Sequence, residues 1–114
     1  MKNSVCLIRP ENFMEEVASE KKPVLLLCMP YDEEFHAQVK IIEDIAHRYQ
    51  KALKVGLLEE AFLETFKKNL GIHGTPTFLI MVQGKEQNRM LGLADQDSLQ
   101  DFIFSSHKQA INNI

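Results

Sequence analysis

Short apolar runs alternate along this chain with longer stretches in which apolar residues return every three or four positions. Val5–Ile8 is a brief run of strand formers, and Pro10 breaks it. Asn12 is then placed to cap a first helix, with Phe13 or Met14 and then Val17 at helical spacing, until Lys21-Lys22-Pro23 stops it. Residues 24–29 are continuously apolar, the pattern of a central strand covered on both faces, and Pro30 ends them. A long helix is predicted over 33–50, where Phe35, Val39, Ile42, Ala46 and Tyr49 form one stripe that Ile41 and Ile45 widen. Residues 53–58 read as another buried strand. The stretch 59–69 reads as a helix with Phe62 and Phe66 on one side, closed by Gly71. Residues 77–82 and 88–92 form a predicted hairpin around Gln83-Gly84-Lys85. Asp95 or Asp97 caps a last helix through Leu99, Phe102 and Ile103, and the polar tail from about Ser106 is expected to fray.

The resulting order, βαβαβαββα, implies an α/β fold with a central mixed sheet flanked by helices on both faces. At 114 residues the chain is one domain's worth, 1–114, and can bury a core without staples. A formal net charge of -3, without any Lys/Arg cluster, gives no electrostatic reason to expect nucleic acid or an anionic membrane as partner. The apolar start is too short for a signal peptide, and the longest apolar runs are strand-length, far short of a membrane span. These features point to the cytoplasm. The two widely separated cysteines, Cys6 and Cys28, suit a reducing compartment and offer no disulfide framework.

Gly71-Ile72-His73-Gly74-Thr75-Pro76-Thr77, a turn entering an apolar strand, resembles the cis-proline loop of the thioredoxin family. Ile42-Glu43-Asp44-Ile45-Ala46 resembles the family's hydrophobic-acidic turn in the long helix. Gly84 in the hairpin turn and Gly92 at the end of the last strand also match, and residues 23–102 can be laid on typical thioredoxins without a gap. The resemblance implies a thioredoxin fold.

The departures concern chemistry. Thioredoxins carry Trp-Cys-x-x-Cys at a helix start facing the cis-proline loop. There the helix N-terminus lowers the pKa of the attacking thiol, and a second thiol resolves the mixed disulfide. In this chain Tyr31 stands for the tryptophan, while Asp32-Glu33-Glu34-Phe35 replaces the Cys-x-x-Cys. The family's buried aspartate on the central strand is replaced by Leu26, and its lysine neighbour on the next strand by Leu57. A buried charge pair often adds nothing over apolar packing, so joint loss of the two is consistent with lost thiol chemistry.

Several residues remain as candidates. Asp32 reads first as a helix N-cap with Glu33 and Glu34 favourably facing the helix dipole; the sharper reading is an acidic patch for a basic partner. His36 and His73 read as solvated surface histidines; no paired-ligand spacing points to a metal, and no cofactor is expected. Cys28, two residues after Leu26, should share its face of the sheet and reads as an inert small hydrophobe, with a monothiol as the alternative. Cys6 should lie one strand removed, at about 4.8 Å per step, beyond the roughly 7 Å limit for bridging. The Thr75-Pro76 loop can fix a turn, or it can present the Thr75 backbone to an extended peptide as the family does.

The resemblance with deleted chemistry implies a non-catalytic, redox-inactive, adaptor or chaperone-like module. It would hold a peptide or protein partner across Tyr31, Asp32, His73, Thr75 and Pro76 in the cis-proline groove. The alternative is a thiol-disulfide oxidoreductase working through Cys28 alone, in cell redox homeostasis. A third reading is a purely structural or oligomerising domain. Dithiol reductase activity is not expected.

Overall fold

A computed structural model describes residues 4–106. The elements follow the order β1 (Val5–Ile8), two short helical segments (Pro10–Asn12 and Met14–Ala18), β2 (Val24–Cys28), α1 (Phe35–Arg48), β3 (Lys54–Leu58), a helical turn (Glu60–Phe62), α2 (Leu63–Leu70), β4 (Thr77–Val82), β5 (Lys85–Leu91) and α3 (Gln96–Ser106). They build one five-stranded sheet in the order β1-β3-β2-β4-β5. The β1–β3 and β2–β3 pairs are parallel, and the β2–β4 and β4–β5 pairs antiparallel. This is the mixed sheet that the element order predicts.

All five residues of β2 are buried, because the strand lies at the centre of the sheet with helices on both sides. Leu25 and Leu27 point into the core shared with Ile42, Ile45, Leu99 and Phe102 of α1 and α3. Leu26 and Cys28 point into the opposite core, with Val17, Phe66 and Leu79. Each buried leucine contributes about 1.5–3 kcal/mol by leaving water, so this one strand is a large share of what holds the layers together.

Some boundaries differ from the sequence reading. The expected first helix is a tight turn over Pro10–Asn12 that runs through a helical Phe13 into a wider segment, Met14–Ala18. Lys54 acts at its far end: the ammonium donates to the Glu16 carbonyl at 2.9 Å, a carbonyl that a helix continuing past Ala18 would have used for itself. Ser19 N–H instead reaches back to the Met14 carbonyl, closing a wide turn. The long helix starts at Phe35 rather than residue 33. Asp32 is therefore not its N-cap: the Asp32 carboxylate accepts the Glu34 N–H at 3.0 Å, closing a local turn before the helix begins. Asp95, not Asp97, caps α3 by accepting the Ser98 N–H at 2.8 Å. The strand partner of Leu26 is Gly56, while Leu57 lies opposite Leu27 and faces the other core. The expectation that Leu57 neighbours Leu26 is thus corrected by the pairing register, since successive residues of a strand face opposite ways. Most of the polar tail expected to fray lies outside the described residues.

Candidate functional site

The end of the sheet where β2 finishes and β4 begins gathers most of the candidates. Antiparallel pairing sets Cys28 opposite Thr77, so the chain leaving β2 and the chain entering β4 emerge side by side. Tyr31 and Asp32 follow on one side; His73, Thr75 and Pro76 precede on the other. The Thr75–Pro76 peptide bond is cis. Thr77 Oγ1 donates to the Gly74 carbonyl at 2.6 Å, which ties the loop to the first residue of the strand. Gly92 N–H donates to the Pro76 carbonyl at 2.8 Å and fastens the end of β5 to the same loop.

Thr75 is half-buried, and neither its N–H nor its carbonyl is hydrogen-bonded among the described residues. A main chain in that state is open to water or to an incoming strand. His73 is exposed, and its side chain has no hydrogen bond or ion pair among the described residues. Tyr31 leaves 56% of its surface exposed while its ring rests on Phe35, centroids 4.4 Å apart. The Tyr31 N–H donates to Glu60 Oε2 at 2.6 Å, so the turn after β3 braces the turn after β2.

Two further residues belong here that the sequence reading passed over. Leu91 and Leu93 are 69% and 55% exposed, flanking Gly92. A side chain added at Gly74 would meet Leu91 Cδ1 at 3.1 Å, so Leu91 lies directly against the loop. Leu93 is held by a buried side chain: Gln38 of α1 donates to the Ala94 carbonyl at 2.8 Å and accepts the Ala94 N–H at 3.0 Å. That pair of hydrogen bonds fixes the segment after β5 against α1. The available signal was two leucines straddling a glycine after an otherwise polar strand.

The thiol is placed differently. Cys28 is fully buried on the face away from α1, packed among Leu26, Leu79 and Phe66. Burial pushes its pKa up to about 11; the Lys67 charge opposes this and the Glu64 charge reinforces it. Cys6 lies on β1, with β3 between it and β2, and both cysteines are free. Burial and the nearby Glu16 carboxylate raise the Cys6 pKa as well. Among the described residues, no group of three or more His, Cys, Asp or Glu side chains could hold a metal ion. Nor is any described helix long and apolar enough to cross a membrane.

The thioredoxin family model matches residues 4–105, nearly the whole chain. The chain belongs to the thioredoxin family. A thioredoxin from Griffithsia pacifica is 29% identical over 90 residues, covering 78% of this chain and 83% of that one. The structure of a mutant thioredoxin from Halobacterium salinarum superposes with a TM-score of 0.77, covering 93% of this chain and 95% of that one. At 19% identity this second likeness speaks to the fold alone. In this thioredoxin-family chain the helix start that follows β2 carries no cysteine, and its one thiol on β2 is closed in the core.

Proposed function

We propose that this chain is a non-catalytic thioredoxin-fold module that holds an extended segment of a protein partner against the Thr75-Pro76 loop, as an adaptor or chaperone-like subunit. One observation carries the reading: an unpaired Thr75 main chain lies at the same end of the sheet as the exposed apolar side chains of Tyr31, Leu91 and Leu93. An extended peptide beside Thr75 would satisfy both backbone groups, and alternate side chains would meet the apolar surface. Thiol exchange, by contrast, needs a thiolate and a path to it. With a pKa of about 11, Cys28 at pH 8 carries roughly one thiolate in a thousand, and it has no exposed surface. Family membership is equally compatible with an oxidoreductase using Cys28 alone, so the test addresses both.

The test combines insulin-disulfide turnover with capture of partner proteins on immobilised protein, comparing the wild type with Thr75→Arg, Tyr31→Ala and Cys28→Ala. The expected result is no turnover, capture that survives Cys28→Ala, and loss of the captured proteins with Thr75→Arg. Turnover abolished by Cys28→Ala would establish the oxidoreductase instead. Capture indifferent to both Thr75→Arg and Tyr31→Ala would remove the groove reading.

A further inference from the structure

The surface around the Thr75-Pro76 loop is apolar at its centre and one-signed at its rim. Between the start of α1 and the segment after β5 lies a concavity of about 250 Å³, with Ala37, Ile41 and Leu93 in its walls and Glu34 and Asp95 at its mouth. Tyr31 stands on Phe35 at the head of α1, and Leu91, across the sheet edge, lies against Gly74. Asp32, Glu33, Glu34, Glu60 and Asp95 edge this surface. None of these five is in an ion pair among the described residues. Among the described residues no lysine or arginine lines the concavity. The surface therefore presents carboxylates outside any ion pair among the described residues, of which Asp32, Glu60 and Asp95 also accept a backbone N–H, beside exposed leucines and a tyrosine.

We infer that the occupant of this groove is an extended segment that places an aliphatic or aromatic side chain in the concavity and lysine or arginine on either side of it. This rests on the reading that the groove binds a peptide, and it adds the chemistry of that peptide. The apolar anchor supplies affinity by leaving water. The flanking cations meet Glu34 and Asp95 at the mouth, and Asp32, Glu33 and Glu60 farther along the rim. Like charge there disfavours acidic competitors and favours basic ones, giving specificity more than affinity. Each exposed pair is weak, so the expected preference is modest, about tenfold between a basic and an acidic frame around the same anchor, and it shrinks as salt screens it.

The experiment is selection of a random twelve-residue phage-displayed library on the folded protein, with counter-selection on Thr75→Arg. Synthetic versions of the enriched sequences are then titrated at low and high salt. Enrichment of aliphatic or aromatic residues flanked by Lys or Arg is expected. The Glu34→Gln/Asp95→Asn double variant should weaken those peptides about tenfold at low salt while leaving a version with neutral flanks unchanged. Both substitutions keep side-chain shape, and Asn still caps α3. Peptides that need Thr75 but show neutral or acidic flanks would overturn this inference and leave the groove reading standing. Failure to enrich any sequence that distinguishes the wild type from Thr75→Arg would overturn both.

Discussion

Leu26 occupies the middle of the central strand, and the space beside it is left open by a residue without a side chain. A Cβ on Gly56 would come within 2.8 Å of Ile8 Cγ1 and 3.0 Å of Leu26 Cδ2. Both neighbours are fully buried, so neither can swing into solvent to make room. Gly56→Ala is therefore expected to overpack this core and lower stability by about 1–3 kcal/mol, read as a fall in the urea midpoint without change of slope. An unchanged midpoint would mean that Ile8 and Leu26 adjust freely. The same core encloses Cys28, and that decides its chemistry. A thiol whose pKa burial raises to about 11, with no exposed surface, should react with an alkylating reagent only through global unfolding. Its labelling rate in urea should then track the unfolded fraction, and it should stay slow near pH 8 in the native protein. Fast native labelling would contradict the burial and reopen single-thiol chemistry.

Hairpin β4–β5 shows which elements a sequence reveals and which it hides. The turn was legible, since Gln83-Gly84 between two extended runs is a turn signal, but β5 begins at Lys85 and not at residue 88. Lys85-Glu86-Gln87-Asn88-Arg89 has no apolar alternation because an edge strand exposed along its length needs none; pairing with β4 alone makes it a strand. Gln83 and Gly84 have φ of 51° and 82°, a two-residue turn with both centres left-handed. Asparagine tolerates that region better than glutamine, so Gln83→Asn is expected to raise stability by up to about 1 kcal/mol. Gly84→Ala should lower it by about 1–2 kcal/mol, and the thermal midpoints of the two variants should move in opposite directions. The candidate site divides along the same line. Tyr31 and the Thr75-Pro76 loop lie in local motifs and could be read. Leu93 could not, because it is positioned by Gln38, 56 residues away from the Ala94 backbone it holds. Gln38→Met keeps the length of that side chain but strands a buried N–H and carbonyl. The expected cost is about 2–4 kcal/mol, with groove peptides bound more weakly than the loss of folded protein alone accounts for.

Among the described residues a few charged side chains are tied between or within elements of the fold, and these set how stability depends on pH. Lys54 joins β3 to the helical segment after β1, bonding Glu16 Oε1 at 2.6 Å and lying 3.4 Å from Glu20. Its hydrogen bond and charge hold Glu16 below the ordinary value of 4.5. The backbone N–H of Lys22 does most to lower Glu20, and the Arg89 guanidinium does the same for Glu86. For carboxylates depressed on folding, the unfolded chain binds more protons as pH drops. Their stabilisation is present above about 4.5 and is lost as pH falls through the folded values. Burial alone would lower the Lys54 pKa, but Glu16 raises it above 10.5; that contribution is complete below 10.5 and is lost as pH rises through the folded value. Cys28 acts in the same sense on the alkaline side, losing its contribution from about pH 9 toward 11 as the unfolded thiol ionises first. Unfolding midpoints are therefore expected to be flat between about pH 5 and 8.5 and to fall on both sides. The acid limb amounts to about 1–2 kcal/mol, because these carboxylates are partly solvated. Lys54→Met removes the partner that Glu16 and Glu20 share, so it should lower the plateau and flatten the acid limb, since those two then titrate closer to their unfolded values. An acid limb as steep in Lys54→Met as in the wild type would mean that Glu86, held by Arg89, and Glu20, held by the Lys22 N–H, govern the response to acid instead of the Lys54–Glu16 pair.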